Sequence, residues 1–155
     1  MRAADAAVKA GAARFVSVQN QYSLLHREPE IDVLPVCDQL GLAFLPYFPL
    51  ANGLLTGKYS KGTPPPAGTR MTMAWAAAGL TDRNFATVEA LDGIAKRSGR
   101  SLLELAISWL LRQPAVASVI AGATRPEQIH ANAAAANWTF STEDLAQIDR
   151  ATTSR

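Results

Sequence analysis

Val116-Ala117-Ser118-Val119-Ile120-Ala121-Gly122-Ala123-Thr124-Arg125-Pro126-Glu127-Gln128 decides how the rest of the chain is read. Val116 to Ile120 has the length and apolar character of a buried strand. The segment then runs through Gly122 into a helix start. Thr124 and Glu127 have capping-box spacing, which predicts a helix to about Asn137. A strand that turns through a glycine into a helix is one unit of an alternating α/β chain.

Outward from that unit the alternation repeats. Residues 2–13 read as a helix ending near Gly11, and Phe15 to Gln19 as a short strand. After a loop, Asn20 to Glu30, Ile31 to Leu40 reads as a helix with Gly41 as its C-cap. Leu42 to Tyr47 is a second strand with Pro46 at its end, because proline cannot donate to a central ladder. Phe48 to Leu80 is irregular and holds Gly53, Gly57, Gly62, Gly68 and Pro64-Pro65-Pro66. A connection that long is usually functional. Asn84 to Arg97 reads as a helix, followed by a second one opened by the capping box Ser101 and Glu104. Leu103, Ala106, Ile107 and Leu110 give that second helix a core-facing stripe, and Pro114 stops it. Ser141 with Asp144 opens a terminal helix to about Arg150.

Strands separated by helices pair in parallel. Three strands are few, and both edges of such a sheet are bare, which invites association. The chain has 155 residues, 48% hydrophobic and 18% charged, which fits one globular domain and excludes a disordered tail or coiled coil. A net charge of +2 gives no field strong enough to hold a nucleic acid. No run approaches the ~18 apolar residues of a membrane helix. Arg2, Asp5, Lys9 and Arg14 interrupt any signal-peptide core, so a cytoplasmic protein is expected. The single cysteine, Cys37, excludes an internal disulfide and a cysteine zinc cage, and it reads as a small core residue. His26 and His130 have no metal-ligand spacing partner, so no metal is expected. Trp75, Trp109 and Trp138 read as packing residues.

In parallel α/β folds the ligand lies beyond the C-terminal ends of the strands. Three segments fall there: Gln19 to Ser23, Tyr47 to Gly53, and Gly122 to Arg125. The last is a helix start whose free N–H groups and dipole favour an anion. Arg125 places a cation where the helix itself disfavours one, which a bound anion explains. The competing reading is a solvated arginine. Arg125, Gln128 and Asn132 share one helical face. Tyr47 either stacks on a flat heterocycle or packs at the core rim, and Lys58 and Arg70 either close over a diphosphate or are solvated.

These segments resemble the C-terminal half of an aldo-keto reductase, from the branch of bacterial oxidoreductases and potassium-channel β subunits. The likeness rests on Ser17-Val18-Gln19-Asn20-Gln21-Tyr22-Ser23-Leu24-Leu25 and on Tyr47-Phe48-Pro49-Leu50-Ala51-Asn52-Gly53-Leu54-Leu55-Thr56-Gly57-Lys58-Tyr59. It also rests on Ile120 to Arg125, Glu127, Gln128 and Asn132, so it spans residues 1–155. The resemblance implies the last three strands of a (β/α)8 barrel and hydride transfer between NADP(H) and an aldehyde, ketone or alcohol. It further implies that Gln19 holds the nicotinamide carboxamide and Tyr47 stacks on the ring. Phe48, Pro49, Leu50, Ala51 and Asn52, with Lys58 and Arg70, would wrap the diphosphate. Gly122, Thr124 and Arg125 would hold the 2′-phosphate, and Gln128 and Asn132 would face the adenine.

Two positions depart from the family pattern. Ala131 stands where a glutamate is common, and Phe48 where a small polar residue is common. The family's catalytic Asp, Tyr, Lys and His map onto nothing in this chain, so an isolated chain is expected not to turn over. Either an upstream half completes it, or it is a non-catalytic NADP(H)-binding half-barrel or a self-associating module, such as a homodimer.

Overall fold

The computed structural model of the chain describes residues 2–153; Met1, Ser154 and Arg155 lie outside the described residues. The helices are α1 Arg2–Lys9, α2 Val33–Leu40, α3 Ala74–Ala77, α4 Asp82–Arg97, α5 Leu102–Leu111, α6 Pro126–Ala134 and α7 Thr142–Thr153. The strands are β1 Ser17–Gln21 and β2 Ala43–Tyr47. They pair in parallel, with Ser17 opposite Ala43 and Gln21 opposite Tyr47. The crossover between them is α2, which ends where expected, on Gly41 in the left-handed region at φ 63°. The first strand lies two residues later than expected, and α1 stops short of Gly11.

The expected third strand is not continuous. Val116 bridges Phe44 and Ile120 bridges Tyr47, both in parallel, with no ladder between them. Pro46 is the reason. Phe44 exchanges both its bonds with this segment, donating to the Ala115 carbonyl at 2.7 Å and accepting from the Ala117 N–H at 3.1 Å. The next residue of β2 facing that side is Pro46, which has no N–H to give. Its carbonyl accepts from Ile120 at 2.9 Å. Five residues of the segment, Val116 to Ile120, therefore span four of β2, Phe44 to Tyr47, and the local register slips as in a bulge.

Side chains on the paired strands alternate between faces. Phe44 and Pro46 are buried beneath the helices. Ser17, Gln19, Ala43, Leu45 and Tyr47 lie on the opposite face, where Gln19 and Tyr47 are exposed. The core sits under the first face. Leu91 of α4, Leu105, Trp109 and Leu110 of α5 and Ile148 of α7 are fully enclosed.

Helix α5 begins with the expected capping box, Ser101 with Glu104. It is buried almost all round rather than along one stripe, so Leu102, Leu105 and Trp109 join the core while Leu103 is only half-buried. Its buried Ser108 hydroxyl donates to the Ala135 carbonyl at 2.6 Å and accepts from the Trp138 N–H at 3.0 Å. Helix α7 opens with the Ser141 and Asp144 pair as expected. Helix α6 is different, because none of its residues is buried.

A second network ties α7 to the loop after β1. Arg27 donates to both Glu30 oxygens, at 2.7 and 2.8 Å, and to Asp149 Oδ1 at 2.8 Å. The same guanidinium lies 5.0 Å from the Trp109 ring centroid. Tyr22 donates to Glu30 at 2.9 Å, and burial together with that carboxylate pushes its phenol well above the ordinary range. Cys37 is buried, as expected, and burial pushes its thiol up.

Candidate functional site

The chain ends of β1, β2 and the bridged segment meet at one rim of the sheet. Gln19 and Tyr47 share the open face, and Ile120 lies beside Tyr47. After Tyr47 the backbone takes an unusual course. Phe48, Ala51 and Asn52 all have positive φ, at 52°, 46° and 58°, and Gly53 follows at 99°. For residues other than glycine this conformation costs about 1 kcal/mol or more each, and such strain concentrates at ligand clamps. The φ of Gly53 favours glycine at its position, and a Cβ there would also stand 3.3 Å from the Tyr59 ring.

Among the described residues, two buried polar atoms in and just after this turn, Asn52 Oδ1 and the Tyr59 hydroxyl, have no hydrogen-bond partner. Lys58 and Arg70 contact aromatic rings, Tyr59 at 5.0 Å and Phe48 at 5.9 Å. Among the described residues, Lys58, Arg70 and Arg125 form no ion pair, whereas Arg27, Lys61, Lys96 and Arg100 do. Arg70 also crosses to the third segment, its Nη2 lying 3.4 Å from where a Gly122 Cβ would stand.

The start of α6 differs by one residue from the sequence expectation. Arg125, not Thr124, is the N-cap, and Gln128, not Glu127, reaches back. The Gln128 Oε1 accepts from the Thr124 N–H at 2.7 Å, the Arg125 N–H at 3.2 Å and the Thr124 hydroxyl at 3.2 Å. Its amide nitrogen points to no partner within this cap. Asn132 lies one turn beyond Gln128 on α6. It lines a cleft of about 310 Å³ between α5, the bridged segment and α6, with Ile107, Val119 and Ile129. Pro49 is buried and Leu50 half-buried, so both support the turn rather than face solvent.

One residue escaped the sequence reading. Trp75 was expected to pack, and Trp109 does, but Trp75 is 56% exposed and stacks on Phe48 at 5.9 Å. An exposed indole beside the strand ends is a surface feature that periodicity does not reveal. Among the described residues, no cluster of metal-ligating side chains forms and no helix is long and apolar enough to cross a membrane.

The Aldo/keto reductase family pattern matches residues 1–153. The chain belongs to the aldo/keto reductase family. An aldo/keto reductase relative, L-glyceraldehyde 3-phosphate reductase of Escherichia coli K12, is 38% identical over 140 residues, covering 85% of this chain and 40% of the relative. The probable voltage-gated potassium channel subunit beta of Oryza sativa subsp. japonica is 40% identical over 119 residues, or 74% and 36% of the two chains. The NADH-specific methylglyoxal reductase of E. coli K12 is 33% identical over 127 residues, or 82% and 39%. The chain thus spans about two-fifths of the length of these relatives. Aldo/keto reductases generally use NAD(P)H.

Proposed function

We propose that this chain is the NADP(H)-binding part of a cytoplasmic aldo-keto reductase, supplying the last three strands of its barrel. The observation that carries the reading is the rim itself, a strained turn beside Lys58, with Arg70 reaching from the long connection to Gly122, and neither cation has a carboxylate partner among the described residues. When bound, the cofactor supplies a hydride for a carbonyl carbon. This chain's part is to bind and orient that cofactor. Gln19 holds the carboxamide and Tyr47 lies flat against the ring, both from the open face of the sheet. The turn from Phe48 to Asn52, with Lys58 and Arg70, neutralises the diphosphate. Gly122, Thr124 and Arg125 take the 2′-phosphate, and Gln128 and Asn132 line the adenine side. The carbonyl or alcohol substrate binds against residues contributed from outside these three strands. A half-barrel that binds NADP(H) without turnover, alone or as a pair of copies, is the second reading, favoured by the unburied α6 and the exposed Ile120 and Ile129.

Arg125→Ala tests the cofactor reading. A charge-assisted contact contributes about 1.5–3 kcal/mol, so NADPH binding is expected to weaken by roughly tenfold to a hundredfold. NADH has no 2′-phosphate and should change by less than about twofold. Equal losses, measured by fluorescence titration, would remove Arg125 from the 2′-phosphate.

A further inference from the structure

Phe48 carries two neighbours from the long connection that follows it. Trp75 stacks on its ring with the planes 23° apart, and the Arg70 guanidinium lies 5.9 Å from its centroid. On its other side Phe48 meets Tyr47 edge-on, at 5.3 Å and 80°. The positive φ of Phe48 gives the ring this position. The backbone beneath Arg70 is fixed by its buried neighbour Met71, and that of α3 by buried Ala76. Neither of these fixes the guanidinium, which has no ion pair among the described residues. The ring of Phe48 and the approach to Gly122 do so.

We propose that Trp75 and Phe48 form an aromatic platform that orients the Arg70 guanidinium beside Gly122. Trp75 is then a positioning residue. It locks the Phe48 ring by stacking, and the ring in turn holds the cation by its face. A planar guanidinium fixed in direction loses less freedom when it engages an anion than one free to rotate. The platform also gives Phe48 a use that its lack of a hydroxyl would otherwise leave unexplained. That the anion is the cofactor diphosphate rests on the function proposed above; the platform itself does not.

The test uses the intact chain and NADPH as probe. An oriented contact of this size changes affinity by about threefold to tenfold, so Trp75→Ala should weaken NADPH binding by that factor. Trp75→Phe keeps a stacking ring and should restore affinity close to that of the unaltered chain. In an Arg70→Ala background, Trp75→Ala should have no further effect, because its only route to the ligand is gone. Additive losses, or no loss in Trp75→Ala, would overturn the proposal. The platform is also read without ligand. Acrylamide quenching of the exposed indole should rise in Phe48→Ala, and unchanged quenching would show that no stack exists. If the unaltered chain binds no NADPH, the cofactor reading fails, and the quenching result alone decides the platform.

Discussion

Trp109→Ala is expected to lower the unfolding free energy by about 3–5 kcal/mol, the range for removing a large aromatic from a closed core. Total stabilities of domains run to about 5–15 kcal/mol, so this variant should sit at or near the edge of folding. Trp109 is fully enclosed on α5. Its ring lies 5.3 Å from that of Tyr22, which in turn meets Phe44 of β2 at 5.7 Å. It thus joins the helical layer to the strand layer. Its face also supports the Arg27 guanidinium, which bonds Glu30 and Asp149. Truncation would open a cavity and leave the half-buried Arg27 guanidinium without that support. Urea denaturation measures the loss, and a change below about 1 kcal/mol would show that this junction is not central to the fold.

The second large effect concerns turnover. The isolated chain is expected to oxidise no NADPH in the presence of an aldehyde beyond the rate in buffer. A positioned proton donor alone contributes about 10²–10⁴-fold, and the function proposed above assigns that role to no residue of this chain. The function proposed above gives Tyr47 the ring-stacking position and not proton donation; it lies on the same open face as Gln19, in register with Gln21. Mixing the chain with a polypeptide carrying the part of its relatives that the match does not cover should restore turnover. Steady turnover by the chain alone would mean that the proton donor lies among these residues after all.

Much of this was legible in the residues. The alternation of strand and helix, the caps at Ser101 and Ser141 and the C-cap Gly41 follow from local chemistry, and local chemistry decided them. The failures have physical causes too. Val116 to Ile120 has the composition of a strand, yet its pairing depends on what its neighbour can donate, and Pro46 cannot. Thr124 and Glu127 have the spacing of a cap, but Arg125 and Gln128 take the role one residue later, with Pro126 at the first helical position. Trp75 could not be separated from Trp109 by residue type. Its exposure depends on where a long connection lands, which no periodicity encodes. The convergence of Arg70 on Gly122 is likewise a tertiary fact, invisible until the connection is folded.

The central claim is that these strand ends hold a dinucleotide, and calorimetric titration of NADPH into the unmodified chain tests it most directly. The account predicts saturable binding of one NADPH per chain, tighter than NADH. A chain that is folded by circular dichroism yet gives no saturable heat with either cofactor into the millimolar range would contradict it.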